Sequence, residues 1–237
     1  SRIREGASAD YTASRGEYLN GIILAKLLGY DFIDAADIIF FDSQGMFDSE
    51  RTNEEIGRRL QHHERAVIPG FYGSMPDGRI KTFPRGGSDI TGAIVARGVN
   101  ADVYENWTDV SGFMMADPRI VSNPKPIRKI TYRELRELAY MGAGVLHEDS
   151  IFPVKKAGIP VHIKNTNVPT DPGTIIVNEA EPVCCTGGIT GVAGKKGFTV
   201  IAIEKTFMNN ELGFGRRLLS ILESNGISFE HMPSGID

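Results

Sequence analysis

The stretch FPRGGSDITGAIVARGVNADVYENWTD, residues 83–109, carries the reading of the fold. Gly86-Gly87 breaks the chain, Ser88 is placed to cap a helix running to about Arg97, and Val103 to Trp107 reads as the next strand. Upstream, Ala66 to Phe71 reads as a buried strand and Asn53 to His63 as a polar-faced helix. Phe32-Ile33 and Ile38 to Phe41 read as short buried strands. Residues 11–28 carry Leu19, Ile22, Ile23, Leu27 and Leu28 at helical spacing, and Gly29 stops that helix. Downstream, Thr131-Tyr132-Arg133-Glu134 is a capping box, and Leu135 and Leu138 begin an apolar helix face. A further helix fits near residues 145–157, and strands fit at Pro160 to Lys164 and Gly173 to Val177. Strands alternating with helices predict an α/β domain, a mostly parallel sheet covered on both faces.

After Glu179-Ala180-Glu181-Pro182 the pattern changes. A Gly- and Lys-rich stretch, Gly191 to Gly197, leads to a strand at Phe198 to Glu204, a helix at Leu212 to Ser224 and a strand at Ile227 to His231. That predicts a small α+β unit, with the domain boundary near residue 180 (1–178 and 183–237).

Composition narrows the function classes. The 237 residues, 41% hydrophobic and 24% charged, suffice for one medium domain and one small one with an ordinary core. With a net charge of −4 and no run of basic residues longer than Arg58-Arg59 or Lys195-Lys196, neither nucleic acid nor anionic membrane is an expected partner. The two cysteines, Cys184 and Cys185, are adjacent, which excludes a disulfide framework and fits a reducing cytoplasm. No apolar run approaches the roughly 18 residues of a membrane span. The opening Ser1-Arg2-Ile3-Arg4 and the closing Ser234-Gly235-Ile236-Asp237 both read as mid-element, so a fragment of a longer protein is expected.

Two clusters could carry chemistry. In the first, Phe83 to Asp89, two glycines let the backbone approach a ligand, and the free N–H groups of the following helix favour an anion. Arg85 offers a planar fork to a carboxylate or phosphate, and Asp89 can hold an ammonium group, so an amino acid suits the pair. In the second, Trp107-Thr108-Asp109-Val110-Ser111-Gly112 through Ala116-Asp117-Pro118-Arg119, polar residues follow a strand directly, the edge where open α/β sheets bind ligands. Thr108 and Asp109 could hold a ribose or an amine, and Arg119 a phosphate. Each cluster alone also fits a plain turn with a surface ion pair. Glu17 lies in Ser14-Arg15-Gly16-Glu17, where a mid-helix glycine costs about 1 kcal/mol relative to alanine and hints at close packing or a ligand. His62 and His63, adjacent and polar-flanked, read as solvent-facing, His147, His162 and His231 have no partner at metal-ligand spacing, and no GxxxxGK[ST] loop occurs.

Taken in order, Ser14 to Leu19, Arg85 to Asp89, Trp107 to Val110, Ala116 to Arg119 and Tyr140-Met141-Gly142-Ala143 with Val145-Leu146-His147 resemble the aspartate kinases, members of the amino-acid kinase family. The resemblance covers nearly all of residues 1–177 and implies the C-terminal, nucleotide-binding part of a three-layer αβα domain. It implies ATP and Mg²⁺ as cofactors and L-aspartate as phosphoryl acceptor. By resemblance Glu17 binds the substrate amine, Arg85 its α-carboxylate, and Ser88 and Asp89 line the same pocket, with Asp89 and Arg85 as the catalytic pair. Thr108, Asp109, Met114 and Arg119 contact the nucleotide, with Gly144 and Val145 alongside. Two positions depart from the family: Gly144 stands where a phosphate-contacting lysine is usual, and Met114 where tyrosine often meets adenine. The family's opening Lys-Phe-Gly-Gly loop is also missing, so residues 1–237 alone are expected to be inactive.

Residues 183–237 resemble part of an ACT module, a ferredoxin-like amino-acid sensor, which implies an effector (lysine or threonine) and homo-oligomers formed through that module. By position, Met208, Phe214, Ser228, Phe229 and Glu230 would line the effector pocket, although Asn209-Asn210-Glu211 departs from the better-known pattern. Two alternatives stand beside this reading: a non-catalytic regulatory subunit, and another amino-acid kinase such as a glutamate 5-kinase.

Overall fold

The computed structural model describes residues 6–84, 86–140, 148–178, 189–194 and 196–233, in two compact units, residues 1–195 and 196–237. Arg85, Gly144, Val145, Cys184 and Cys185 lie outside the described residues.

Helix α1 (Ala9–Leu28) starts where Ser8 accepts a hydrogen bond from the Tyr11 backbone N–H at 3.3 Å. It ends where Gly29 turns left-handed at φ 69°. The face it buries is not the expected one. Ser14, Gly21 and Ala25 are buried, whereas Leu19, Ile23 and Leu27 are exposed. The reason is close approach: a Cβ on Gly21 would lie 3.1 Å from the Phe32 ring and 3.5 Å from Pro69, so the helix seats through its small residues. Gly16, by contrast, has nothing within 4 Å of its Cβ position, so its predicted close packing is not found among the described residues.

Strands β1 (Asp31–Phe32) and β2 (Ala66–Val67) pair in parallel, with α2 (Ser49–Leu60) between them in sequence. The strand expected at Ile38 to Phe41 is instead the end of a 3₁₀ turn followed by isolated bridges at Phe40 and Phe41. A hairpin that the sequence reading missed, β3 (Tyr72–Ser74) with β4 (Ile80–Thr82), follows. Helix α3 (Gly87–Gly98) leads to β5 (Tyr104–Thr108). Then come β6 (Lys129–Thr131), α4 (Tyr132–Tyr140), α5 (Phe152–Ala157), β7 (Val161–Asn165) and β8 (Thr174–Val177). The main sheet has the order β5-β7-β8-β6; its outer pairs are parallel and β7–β8 is antiparallel. Along β7, Val161, Ile163 and Asn165 are buried while His162 and Lys164 alternate outward, the period of two of a half-covered strand.

The capping box at the start of α4 forms in full. The Glu134 N–H donates to Thr131 Oγ1 at 3.2 Å and the Thr131 N–H to Glu134 Oε2 at 2.9 Å. Leu135 and Leu138 point into the core as expected.

Helix α3 matters most for function because two cores hold it. Ala93 and Ala96, three apart on one face, pack with Phe113, Ile130, Val161 and Ile163 beneath the sheet. Ile94 on the opposite side packs with Ile38, Ile39, Ile56 and Tyr72. Full burial of an isoleucine contributes about 1.5–3 kcal/mol. The N-terminus of α3 is therefore a fixed point.

In the second unit a 3₁₀ turn (Met208–Asn210) precedes α6 (Phe214–Ser224), a helix with no buried residue. No strand occurs among its described residues, so the strands expected at Phe198 to Glu204 and Ile227 to His231 do not form. Isolated strands lack the neighbour that satisfies their backbone groups, and this unit supplies none.

Candidate active site

The turn before α3 is built by close contacts. Gly86 is the cap residue and is left-handed, φ 55° and ψ 28°, a conformation that favours glycine. Ser88 is consequently the second residue of the helix, not its cap, and among the described residues no side chain caps this end. That leaves the first N–H groups of α3 open to an anion. A Cβ on Gly87 would fall 2.4 Å from the Phe71 Cβ, and one on Gly70 3.1–3.3 Å from Ser88, so segment 70–71 lies directly against the turn.

Phe71 itself has φ 62°, rare for a residue with a side chain and costing on the order of 1–3 kcal/mol. Its surroundings hold it there. Its N–H donates to Thr91 Oγ1 at 3.0 Å, its carbonyl accepts from the Phe83 N–H at 2.9 Å, and the Thr91 hydroxyl donates to the Gly87 carbonyl at 2.7 Å. Because Pro69 touches the Gly21 position of α1, a continuous chain of contacts runs from α1 through 69–71 to Ser88. Glu17 is exposed one turn before Gly21 and pairs with none of the described residues.

Asp89, half-buried in the first turn of α3, is held from β5. Asn106 Nδ2 donates to Asp89 Oδ1 at 2.9 Å, and the Tyr104 hydroxyl donates to the Asp89 carbonyl at 3.1 Å. Burial pushes the Tyr104 phenol up from its ordinary value, which keeps it a donor.

The second cluster opens where β5 ends. The Thr108 hydroxyl lies 3.2 Å from Asp109 Oδ1, and the Thr108 carbonyl accepts from both the N–H and the hydroxyl of Thr166. The following loop is pinned from below. The Ser111 hydroxyl donates to Asp171 Oδ2 at 2.5 Å and accepts from Asn165 Nδ2 at 2.9 Å. The wholly buried Thr174 hydroxyl accepts from the Phe113 N–H at 2.8 Å and donates to the Ile127 carbonyl at 2.5 Å. Met114 is half-buried and bridged to Pro126. Arg119 does not reach the cluster: its guanidinium grips Asp117 through Nε at 3.0 Å and Nη2 at 2.7 Å, and those hydrogen bonds hold the Asp117 carboxyl below its ordinary range.

Ser88, Asp89, Thr108 and Asp109 therefore sit on one frame, while Glu17 stays exposed on α1, the helix whose Gly21 meets Pro69, and Arg119 is turned to its neighbour. Phe71 and Asn106 were missed by sequence reading. An asparagine inside a strand between tyrosine and tryptophan was the available signal for the second. An open crevice of about 780 Å³ lies elsewhere, between the start of α1 and the β3–β4 turn. Its cations are already engaged: Arg15 stacks on Tyr11 and Tyr18, and Arg79 pairs with Asp77 at 2.6 Å. It contains none of the expected site residues.

In the second unit, Ser228 and Phe229 share a shallow recess of about 430 Å³ with Leu219, Leu222, Glu223 and Ile227. Met208 and Phe214 lie at the opposite end of α6, outside that recess, and Glu230 follows it in an exposed segment.

Comparison with known proteins places these features in context. The model of the "Amino acid kinase family" matches residues 2–165. The chain is 49% identical to Aspartokinase 3 of Bacillus subtilis over 236 residues, covering 96% of this chain and 52% of that protein. It superposes on a crystal structure of Clostridium acetobutylicum aspartate kinase with a TM-score of 0.90 at 63% identity, covering 99% of this chain and 53% of the other. Escherichia coli aspartokinase III in complex with aspartate and ADP gives a TM-score of 0.65 at 30% identity, covering 73% and 41%. The same enzyme in complex with lysine and aspartate gives 0.69 at 26% identity, covering 95% and 53%. The chain thus spans about half the length of the relatives it matches.

Proposed function

The chain belongs to the amino acid kinase family, and from that premise we propose that the full-length protein is an aspartate kinase, which transfers the terminal phosphoryl group of ATP to the β-carboxylate of L-aspartate. The carrying observation is the shared frame. The first turn of α3, with Ser88 and Asp89, is hydrogen-bonded to β5 at Asn106, two residues before Thr108 and three before Asp109. An acceptor bound at the open N-terminus of α3 and a nucleotide bound past β5 are thereby held in fixed relation. Phosphoryl transfer needs positioning and charge neutralisation, and a carboxylate nucleophile needs no strong base. The aspartate and ADP complex of the Escherichia coli enzyme supports the same pair of ligands.

In this reading Arg85 receives the α-carboxylate, Glu17 the amine, and Ser88 and Asp89 close the pocket. Thr108, Asp109, Met114, Arg119, Gly144 and Val145 face the nucleotide. Arg119 must leave Asp117 to do so, a small cost for an exposed pair. Mg²⁺ fits the donor set as a phosphate-held ion. Among the described residues no three His, Cys, Asp or Glu side chains converge, and Mg²⁺ commonly keeps waters and substrate phosphates with only one or two carboxylates. When bound with ATP it supplies charge neutralisation at the phosphates.

The domain reading belongs to the same proposal: a kinase portion over residues 1–178 and an ACT portion over 183–237, through which copies associate and lysine or threonine acts. The Escherichia coli complex with lysine supports lysine as the first effector to test. No helix among the described residues is long and apolar enough to cross a membrane, and we place the protein in the cytoplasm, where ATP is available.

The test is direct. The full-length protein, given ATP, Mg²⁺ and L-aspartate, should form an acyl phosphate that hydroxylamine traps as a hydroxamate. Asp89→Asn and Arg85→Ala should each lower kcat/KM for aspartate at least tenfold. Phosphorylation of glutamate in preference to aspartate would overturn the substrate assignment.

A further inference from the structure

Asn106 is an unusual residue for its position. It occupies the centre of β5, is 7% exposed, and lies on the face that meets α3. Asparagine is disfavoured in strands, and burying its amide is costly unless the polar atoms are bonded. Here both amide protons are used: Nδ2 donates to Asp89 Oδ1 at 2.9 Å and to the Tyr104 hydroxyl oxygen at 3.0 Å. The orientation of the amide follows from chemistry, since an ionised carboxylate only accepts. The Tyr104 hydroxyl in turn donates a hydrogen bond to the Asp89 carbonyl at 3.1 Å, closing a ring of three hydrogen bonds around one residue. The other carboxylate oxygen, Oδ2, takes no hydrogen bond from the described residues.

We infer that Asn106, supported by Tyr104, is a positioning residue that fixes the Asp89 carboxylate by one oxygen and leaves the other turned to the acceptor. This deepens the aspartate kinase reading and rests on it. Asn106 touches no ligand in this account; it acts through Asp89. A valine or isoleucine at 106 would suit the strand and the burial better, so the amide is explained by what it holds. Gly92 belongs to the same arrangement, because a Cβ there would lie 2.5 Å from the Tyr104 hydroxyl oxygen.

The experiment compares steady-state constants of the full-length wild type, Asn106→Leu, Asp89→Ala and the double variant, with melting temperature read in parallel. A misplacement of order 1 Å costs about 100-fold in rate, so Asn106→Leu should lower kcat/KM for aspartate by about ten- to 100-fold while KM for ATP stays within about twofold. In the Asp89→Ala background the same change should cost less than about threefold, because no carboxylate remains for Asn106 to position. Should Asn106→Leu fail to fold, Asn106→Ser, smaller and polar, replaces it in the same cycle. Equal losses in both backgrounds, or equal rises in KM for aspartate and ATP, overturn the inference. Absence of aspartate phosphorylation by the wild type strikes the kinase reading instead, so the two failures are distinguishable.

Discussion

Replacing Gly92 by alanine sets two effects of known sign against each other. Gly92 lies inside α3, where alanine is favoured over glycine by about 1 kcal/mol. The new Cβ would stand 2.5, 2.7 and 2.8 Å from the Oη, Cε2 and Cζ atoms of Tyr104, roughly 1 Å inside ordinary contact. The ring cannot move freely. It belongs to β5, is largely buried, and its hydroxyl joins Asn106 to the Asp89 carbonyl. Overpacking of this kind costs about 1–3 kcal/mol, and disturbing two hydrogen bonds adds about 0.5–1.5 kcal/mol each. The clash outweighs the propensity gain, and Gly92→Ala should destabilise by about 1–5 kcal/mol. At about 2–4 °C per kcal/mol for a unit of this size, the melting temperature of the full-length protein should fall by roughly 2–20 °C. The control is Gly16→Ala in α1, where nothing lies within 4 Å of the Cβ position; it should raise the melting temperature or leave it unchanged. Adding Tyr104→Phe to Gly92→Ala removes the nearest atom and should restore part of the loss, a non-additivity above about 0.5 kcal/mol. Thermal unfolding followed by circular dichroism reads these proteins together with the Tyr104→Phe single variant, five in all. A Gly92→Ala protein as stable as the wild type would refute the packing of α3 on β5 described above.

Three further outcomes are expected. Thr131→Ala removes one half of the capping box and should cost about 1 kcal/mol near neutral pH. Burial acts to raise the Glu134 pKa, but hydrogen bonds from Thr190 and Thr131 outweigh it and hold the carboxyl low. A lowered folded pKa contributes stability above the unfolded value, about 4.3, that is lost as pH falls through the lower folded value, so the gap between wild type and variant in acid melts should narrow there. Arg119→Ala breaks only an exposed pair and should move the melting temperature by less than about 2 °C, yet raise KM for ATP several-fold if the guanidinium serves the nucleotide; an unchanged KM removes Arg119 from the site. A peptide of residues 196–233 should show little helix by circular dichroism, since an 11-residue helix with no buried side chain is below the length of about 12–15 residues at which isolated helices become marginal.

The sequence made the long elements and the capping box legible because their signals are local. Helix α1 and its Gly29 stop, the Thr131–Glu134 box, and the strands at 104–108 and 161–165 all appear within a residue or two of expectation. What it hid depends on contacts distant in the chain. The inward face of α1 could not be read from apolar spacing, because the helix seats through Gly21 against Phe32 and Pro69, with Ala25 buried beside it, where small size and not hydrophobicity is selected. The β3–β4 hairpin escaped because its strands are three residues each, too short for a period of two to register. The strands expected in the second unit carry the right residues, Val200, Ile201 and Ile203 among them, but residues of strand type become a strand only when a neighbour accepts their hydrogen bonds. Of the site, the two glycines and the residues after them were visible. The strained Phe71 and its lock through Thr91 were not, since a positive φ at phenylalanine has no sequence signature.

These observations bear on where catalytic precision would come from in such a site. Its motifs lie on turns, which are ordinarily the least fixed parts of a fold. Here each turn is tied to an element buried in a core. The 86–89 turn is tied to α3, which two apolar clusters grip from opposite sides, and the loop after β5 is tied through Ser111 and Thr174 to β7 and β8. Asn106 joins the two systems, so a displacement of either loop must stretch a hydrogen bond at a buried amide or move a helix out of two cores. Both are opposed by energies of about 1 kcal/mol or more. A reaction that asks the protein mainly to hold two anionic partners in line is served by that stiffness, and the polar residue inside β5 is its cause at the level of sequence.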